Sequence, residues 1–362
     1  MIPTVVLAYE TEAQCAGRLR RQGFPPQRAR EVASYLAQAT DLAPAFARIE
    51  AVARGHGIAF RAAELHEAAA LLGRMAPAST LLWPLTDGFA FFLGSSLAGH
   101  ALLHGTPLFN APAEVFFLAQ DKFRSTAVMH ALGLPVPATA LARGRRWLSP
   151  PPAPSAGGYF VKPNRLGAKI GIGADAHAPD VEAALAVAAR LLADFGDDAV
   201  VQAYVPGTNV RVSFLDVSGA AGSADAGIYA VRSGSDFQTA AESLALYGAG
   251  GVAAKAAGRY REPELVNLRG ADPPAAAQIE RLVARLAAGL DLRGAWSVDL
   301  RLGPEGPQLL ELEVCPGLPC FDFRRYLRDR WGIEVEDAIA AAAAARLRPR
   351  KPPSNGLSLP PA

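Results

Sequence analysis

Cysteine is scarce. The 362 residues carry three, Cys15, Cys315 and Cys320, an odd set without framework spacing. That excludes a disulfide scaffold and fits a reducing, cytoplasmic compartment. Cys315 and Cys320 read as ordinary small residues around a turn. No apolar run approaches a bilayer span, which excludes a membrane helix. The first residues, Met1-Ile-Pro-Thr-Val-Val-Leu-Ala-Tyr9, lack a basic n-region and read as a strand rather than a signal peptide. No basic tract with interleaved aromatics accompanies the formal charge of +2, so nothing points to nucleic acid. Walker A, Gly-x-Ser-x-Gly and His-Glu-x-x-His patterns are missing, and the 6 histidines are scattered.

What is present is the material of a large folded enzyme. The length predicts two or three domains, and 51% hydrophobic residues indicate a soluble, packed chain. Apolar runs at Thr4–Tyr9, Ile49–Ala53 and Ser79–Trp83 read as strands. Helices are expected at Thr11–Arg21, near Ala62–Leu72 and near Phe89–His104, so the first 108 residues predict a parallel sheet wrapped by helices. Residues 114–134 read as one helix bearing Asp121 and Lys122, stopped by Gly133-Leu-Pro-Val-Pro. Strands follow at Tyr159–Pro163, from Ile170, at Ala199–Val205, Val210–Asp216 and Gly227–Arg232, with a helix over Pro179–Phe195. Residues 233–262 are Gly-, Ser- and Ala-rich, carry Lys255, and are long enough to predict a functional lid. Helices are expected at Pro274–Gly289 and Glu334–Leu347, and residues 349–362 have the composition of a disordered tail.

One stretch concentrates charge. Val298-Asp-Leu-Arg-Leu302 and Gln308-Leu-Leu-Glu-Leu-Glu-Val314 alternate apolar and polar residues on either side of Gly303-Pro-Glu-Gly-Pro, which predicts a hairpin. Alternation places Asp299 and Arg301 on one face of the first strand, and Glu311 and Glu313 on one face of the second. Three carboxylates together repel unless a cation joins them, and magnesium takes such hard oxygen ligands. The competing reading is an exposed charged face with Arg301 as its structural counter-ion.

Upstream, Lys162 closes an apolar strand just before Asn164-Arg-Leu-Gly167-Ala-Lys169-Ile-Gly-Ile-Gly173, whose backbone could cradle phosphate. A snorkelling lysine is the plainer account of the same residues. Gly171-Ile-Gly173-Ala-Asp-Ala176 imitates a relaxed dinucleotide fingerprint, but Pro179 and Asp180 start the next helix several residues late. An NAD(P)-dependent oxidoreductase rests on that fingerprint alone.

The order Lys122, Lys162-Pro with its glycine loop, the strand ending in Pro206-Gly207, Lys255, and the Asp299…Glu311-x-Glu313…Pro316-Gly317 hairpin resembles the ATP-grasp superfamily, in its D-alanine–D-alanine ligase-like branch. The resemblance implies a three-domain α/β fold. Residues 1–108 would form a Rossmann-like preATP-grasp domain, and 109–205 and 206–348 two α+β subdomains clamping ATP. It implies that Lys122 and Lys162, with the Gly167–Lys169 loop, hold the ATP phosphates. Gln202, Ala203, Tyr204 and Val205 would be the adenine-reading hinge, with Asn209 near the ribose and Lys255 at the γ-phosphate. Asp299, Glu311 and Glu313 would hold two Mg2+ ions, with Mn2+ as a substitute. The implied activity is ATP-dependent joining of a small carboxylate to an amine through an acyl phosphate, with no nucleic-acid or membrane partner and a possible homodimer.

This chain departs from the pattern at several points. The family's arginine two residues before the first metal carboxylate is Ser297 here, so Arg211, Arg232 or Arg301 is expected to replace it, Arg211 first. The family's two loop serines are Ala168 and Lys169, and its third metal ligand, usually asparagine, is Glu313. Tyr9-Glu10-Thr-Glu12 stands where the family seats its first D-alanine, which points away from that substrate. The loss at Ser297 also allows a catalytically inactive ATP-binding module.

Overall fold

The structure is a computed structural model and describes residues 2–30, 32–33, 45–85, 93–167, 169–218, 225–232, 236–237, 239, 264–318 and 321–347. Lys255, Cys320 and the 349–362 tail lie outside the described residues, as does all of the 233–262 stretch except three positions.

Three sheets organise the chain. The first is parallel, in the order β2-β1-β3, from β1 (Thr4–Tyr9), β2 (Ala59–Glu64) and β3 (Thr80–Pro84). Thr11 and Gln14 cap the helix Glu12–Arg21 reciprocally, so the turn after β1 is fixed locally. The expected strand at Ile49–Ala53 is instead part of the helix Phe46–Gly55. Its two buried residues, Ile49 and Ala53, are four apart, the spacing of one helix face, and a short apolar run leaves that period ambiguous. The second strand, Ala59–Glu64, takes the start of the helix expected near Ala62–Leu72, and that helix is confined to Leu65–Leu72. The closing helix Val335–Leu347 returns to this first sheet, packing its alanines among Val5, Leu7, Ile49 and Trp83.

The second sheet is antiparallel, in the order β5-β4-β8-β6-β7. Its strands are β4 (Thr139–Arg143), β5 (Arg146–Trp147), β6 (Tyr159–Pro163), β7 (His177–Ala178) and β8 (Ala199–Ala203). The helix Val181–Phe195 covers one face, started by the Asp180 side chain accepting from the Ala183 amide. The strand expected from Ile170 is a turn. Lys169 and Gly171 have φ of +59° and +78°, and a Cβ on Gly171 would sit 2.7 Å from Leu191 Cδ2. Close packing of that turn on the helix demands glycine at Gly171, and the turn joins the antiparallel strands β6 and β7, so no βαβ unit is built at this fingerprint.

The expected single helix over 114–134 is two, Ala113–Ala119 and Lys122–Ala131. Asp121 is extended and caps the second by accepting from the Arg124 amide, which places Lys122 in its first turn. Asp, being short and polar, gains more by capping than by continuing a helix.

The third sheet, β11-β10-β9-β12-β13, comprises β9 (Thr208–Leu215), β10 (Gly227–Arg232), β11 (Glu264–Asn267), β12 (Ala295–Gly303) and β13 (Gly306–Glu313), all antiparallel. The helix Pro273–Gly289 lays Ile279, Val283 and Leu286 on the face formed by Val210, Val212, Val298, Leu300, Leu309 and Leu312. The opposite face carries the charge. Between the second and third sheets the chain crosses at Pro206-Gly207, where φ of Gly207 is +137° and a Cβ would collide with the Leu302 carbonyl oxygen.

Candidate functional site

The β12–β13 hairpin forms as the alternation predicts. Its register sets Asp299 opposite Glu311 and Ser297 opposite Glu313, while on the other side of β12 Asp299 faces Arg211 of β9. Arg211, Asp299 and Glu311 therefore stand in one row across three strands. The ladder slips between Asp299 and Leu300, leaving Leu310 as an extra residue in β13. The doubled Leu309-Leu310 in the sequence is the mark of that bulge. Its consequence is chemical: the Leu310 carbonyl accepts from Lys162 Nζ at 3.2 Å.

Two lysines of the second sheet's neighbourhood reach this face. Lys122 Nζ lies 3.0 Å from Glu311 Oε1 and donates to the Leu166 carbonyl at 2.8 Å. Lys162 Nζ lies 3.7 Å from Glu311 Oε2. Both lysines are 5% exposed. Asn164 clamps their supports together. Its backbone carbonyl accepts from the Lys122 amide at 3.1 Å and its side-chain oxygen from the Phe123 amide at 2.9 Å. Arg211 holds the other two carboxylates, with Nη1 2.8 Å from Asp299 and Nη2 2.6 Å from Glu313. Ser297 Oγ donates to the same Glu313 oxygen at 2.9 Å.

Three anions thus meet three cations. The cations that the carboxylates were expected to need are present in the protein itself, as Arg211, Lys122 and Lys162. Arg301 plays no part in that balance, so the competing reading of a neutralised face differs from the structure in which residue is the counter-ion. The pKa directions follow the pairing. Burial opposes charge on Glu311, but Lys122 and Lys162 outweigh it and hold its carboxyl below the ordinary range. Burial also opposes charge on Lys122, and Glu311 outweighs it, so this amine is raised. Lys162 is lowered, because burial dominates its more distant contact with Glu311. Burial likewise raises Glu313, against the pull of Arg211. Among the described residues, the group whose ligand atoms all lie within 4.8 Å of one another is Glu64, His66 and Glu67 at the end of β2, mostly exposed. The hairpin carboxylates, still engaged with their cations, are not gathered that closely.

The donor set nonetheless suits a hard divalent cation. It offers only carboxylate oxygens, on one face, and exposure of 41% at Asp299, 19% at Glu311 and 31% at Glu313 leaves room for approach. A polyphosphate arriving at Lys122 and Lys162 would free Glu311 to ligate.

The hinge strand behaves as a connector. The Ala203 amide bonds to the Ala138 carbonyl and the Tyr204 amide to the Gly158 carbonyl, while Gln202 is 2% exposed with its side chain on Thr139. Pro206 has no N–H. Among the described residues this leaves the Val205 amide as the hinge's open donor. Arg301 is buried beside it. Its Nε donates to the Val205 carbonyl at 2.9 Å, Nη1 to Asn209 Oδ1 and the Asp236 carbonyl, and Nη2 to the Tyr204 hydroxyl and Asp236 Oδ1. All five N–H groups are used, so Arg301 has none to offer a reaction intermediate. Asn209 is also occupied, between Arg301 and the Asp236 carbonyl.

The remaining expected residues separate. Gly167 and Lys169 sit in the turn after β6, beside the Leu166 carbonyl that Lys122 uses. Arg232, at the exposed end of β10, pairs with Glu264 at 3.3 Å and does not reach the carboxylates, which corrects its expected catalytic place. Sequence reasoning missed Asn164, Ser297 and Asp236 as partners. Asn164 alone left a signal, a polar residue two positions after the strand lysine.

No family model matches the chain. D-alanine–D-alanine ligases from two Cereibacter sphaeroides strains are each 36% identical over 106 residues, 27% of this chain and 29% of each curated protein, so the match spans under a third of those relatives. Solved structures align over nearly the whole length. A D-alanine–D-alanine ligase from Bacillus anthracis, complexed with ATP, covers 96% of this chain and 98% of its own at TM-score 0.58 and 13% identity. The D-alanyl-alanine synthetase A of Vibrio cholerae gives 0.58 and 15% with the same coverage. The VanG D-Ala:D-Ser ligase of Enterococcus faecalis gives 0.57 and 14%, covering 96% and 99%. Among the described residues no helix is long and apolar enough to cross a membrane. With three sheets in this order and a full-length structural match, the chain has the three-domain α/β ATP-grasp fold of the D-alanine–D-alanine ligases.

Proposed function

We propose that the protein is an ATP-dependent carboxylate–amine ligase acting on small, amino-acid-like substrates. The observation that carries the reading is the convergence of two buried lysines, Lys122 and Lys162, on the hairpin carboxylate Glu311. Burying two amines is costly, and one carboxylate shared between them is a modest return unless anions are meant to visit. In this reading the lysines receive the ATP phosphates, and Asp299, Glu311 and Glu313 hold Mg2+. The metal, when bound, neutralises phosphate oxygens and orients the transferred phosphoryl group.

The rest of the assignment follows the same geometry. Lys162 on β6 and Lys122 on the helix beside it neutralise the nucleotide from one side while the hairpin of the third sheet approaches from the other. Arg211 stands over Ser297, sharing Glu313 with its hydroxyl, and takes the place of the missing arginine beside the reacting carbonyl. The Val205 amide reads the purine. Lys255 reaches the γ-phosphate in the full assignment. Domain limits near residues 108, 205 and 348 are proposed on the same grounds. Phosphoryl transfer to a carboxylate gives an acyl phosphate, and attack by an amine on its carbonyl releases phosphate and forms the amide. Water must be kept out between those steps, which a clamp of two sheets supplies.

The test is phosphate release with magnesium and ATP over pools of amino acids and other small carboxylates. Turnover that needs both a carboxylate and an amine supports the reading. ATP binding without turnover on any pool would leave an inactive nucleotide-binding module instead.

A further inference from the structure

Arg301 is the least expected feature of the charged face. A charged residue on an alternating strand would ordinarily face solvent, yet it is 4% exposed and its whole guanidinium is spent inside the protein. Its acceptors come from three separate parts of the chain: the hinge (Tyr204 and Val205), the start of β9 (Asn209) and Asp236 after β10. Its guanidinium carbon also lies 5.4 Å from the Tyr204 ring centroid, and that ring stacks on His177 at 3.8 Å. Phe237, next to Asp236, packs edge-on against Phe160 of the second sheet at 5.1 Å. The contacts therefore gather on the hinge side of β12, two residues along the strand from Asp299, whose partner Glu311 meets Lys122 and Lys162.

We infer that Arg301 is a positioning residue for the base and ribose end of the bound nucleotide, an assignment that rests on the ligase reading above. The argument is geometric. Pro206 fixes its own φ and removes the next N–H, while Arg301 Nε pins the Val205 carbonyl. With the Val205 carbonyl held on one side and the Tyr204 amide held by the Gly158 carbonyl on the other, the peptide plane between them, which carries the Val205 N–H, is bracketed, and so is the direction of the open hinge donor. Nη1 holds Asn209 Oδ1, and the Asn209 amide holds the Asp236 carbonyl, so the same guanidinium also fixes the residue nearest the expected sugar. Lysine cannot replace this function, because an ammonium has three donors and no planar fork.

The experiment uses the full chain and calorimetry with magnesium throughout. Two probes are compared: a non-hydrolysable ATP analogue, and inorganic tripolyphosphate, which lacks base and sugar. For Arg301→Lys the expected result is at least a tenfold loss of affinity for the analogue with tripolyphosphate affinity within twofold of wild type. Equal loss for both probes, or no loss for either, overturns the inference, since a merely structural role would not discriminate between them. Asp236→Asn is the second variant, 54% exposed at its side chain and safe to fold. It removes one charged acceptor and should give a selective loss of about threefold for the analogue. Wild-type protein that binds neither probe would remove the nucleotide reading itself and this role with it. Wild-type binding of the analogue without selective loss in either variant would remove only the role of Arg301.

Discussion

Replacing Glu311 with glutamine separates two jobs that one carboxylate performs. In the structure it is the shared counter-ion of Lys122 at 3.0 Å and Lys162 at 3.7 Å. At an effective dielectric of about 20 those contacts are worth roughly 5 and 4 kcal/mol before desolvation. Desolvation of two buried amines and a partly buried carboxylate cancels much of that, and removing one partner of a buried pair costs about 3–5 kcal/mol. We expect Glu311→Gln to lose about 3 kcal/mol of stability, read by urea unfolding. Ligand binding should move the other way. With no carboxylate to displace, the lysines are open to phosphate, so metal-free ATP should bind more tightly than to wild type, by about tenfold or 1.4 kcal/mol. Magnesium should strengthen ATP binding to wild type and do nothing for the variant. The assay is calorimetry with a non-hydrolysable ATP analogue, with magnesium and with chelator. A metal-free affinity that falls in the variant would refute the role of Glu311 as the counter-ion that phosphate displaces, and an affinity that still rises with magnesium would refute its metal role.

Four further outcomes are expected. Lys162→Ala should weaken nucleotide binding by about 1.5–3 kcal/mol, the worth of a charge-assisted contact, in a protein that still unfolds cooperatively. Because the Lys162 pKa is lowered, nucleotide affinity should decline with rising pH before the ordinary lysine range, and Lys162→Arg, always charged, should abolish that limb in a pH series. Glu311 has a depressed pKa, so its stabilisation is present above the ordinary carboxylate pKa and is lost as pH falls through the lower folded value; Glu311→Gln should flatten that acid limb of thermal stability. Gly207→Ala, at φ of +137° against the Leu302 carbonyl, should cost about 2 kcal/mol or more by denaturation.

Much of the fold is local in origin, and therefore legible. Thr11 and Gln14 cap the first helix, Asp180 starts another, and Gly303-Pro-Glu-Gly-Pro turns the hairpin, each through contacts among residues a few positions apart. Alternation placed Glu311 and Glu313 on one face of β13 and Asp299 on one face of β12, since side chains in a strand repeat every two residues, and the hairpin register joined the two faces. The order of lysine, glycine loop, hinge and acidic hairpin was likewise enough to indicate the fold. Local signals failed where two structures fit the same few residues. Ile49 and Ala53 suit a strand or a helix, and only the sheet packed beneath them selects the helix. Asp121 could continue a helix or begin one, and the grip of Asn164 on the first turn of the second accompanies the break. Charge balance was decided wholly by tertiary structure. Which amine meets which carboxylate depends on distances between residues up to 189 positions apart in the chain, as Lys122 and Glu311 are, and no periodicity encodes such a distance. Arg301 is the clearest instance: in sequence it shares a face with Asp299, but in space its five donors are claimed by the hinge, Asn209 and Asp236, which leaves the hairpin to be neutralised by Arg211 and the two lysines.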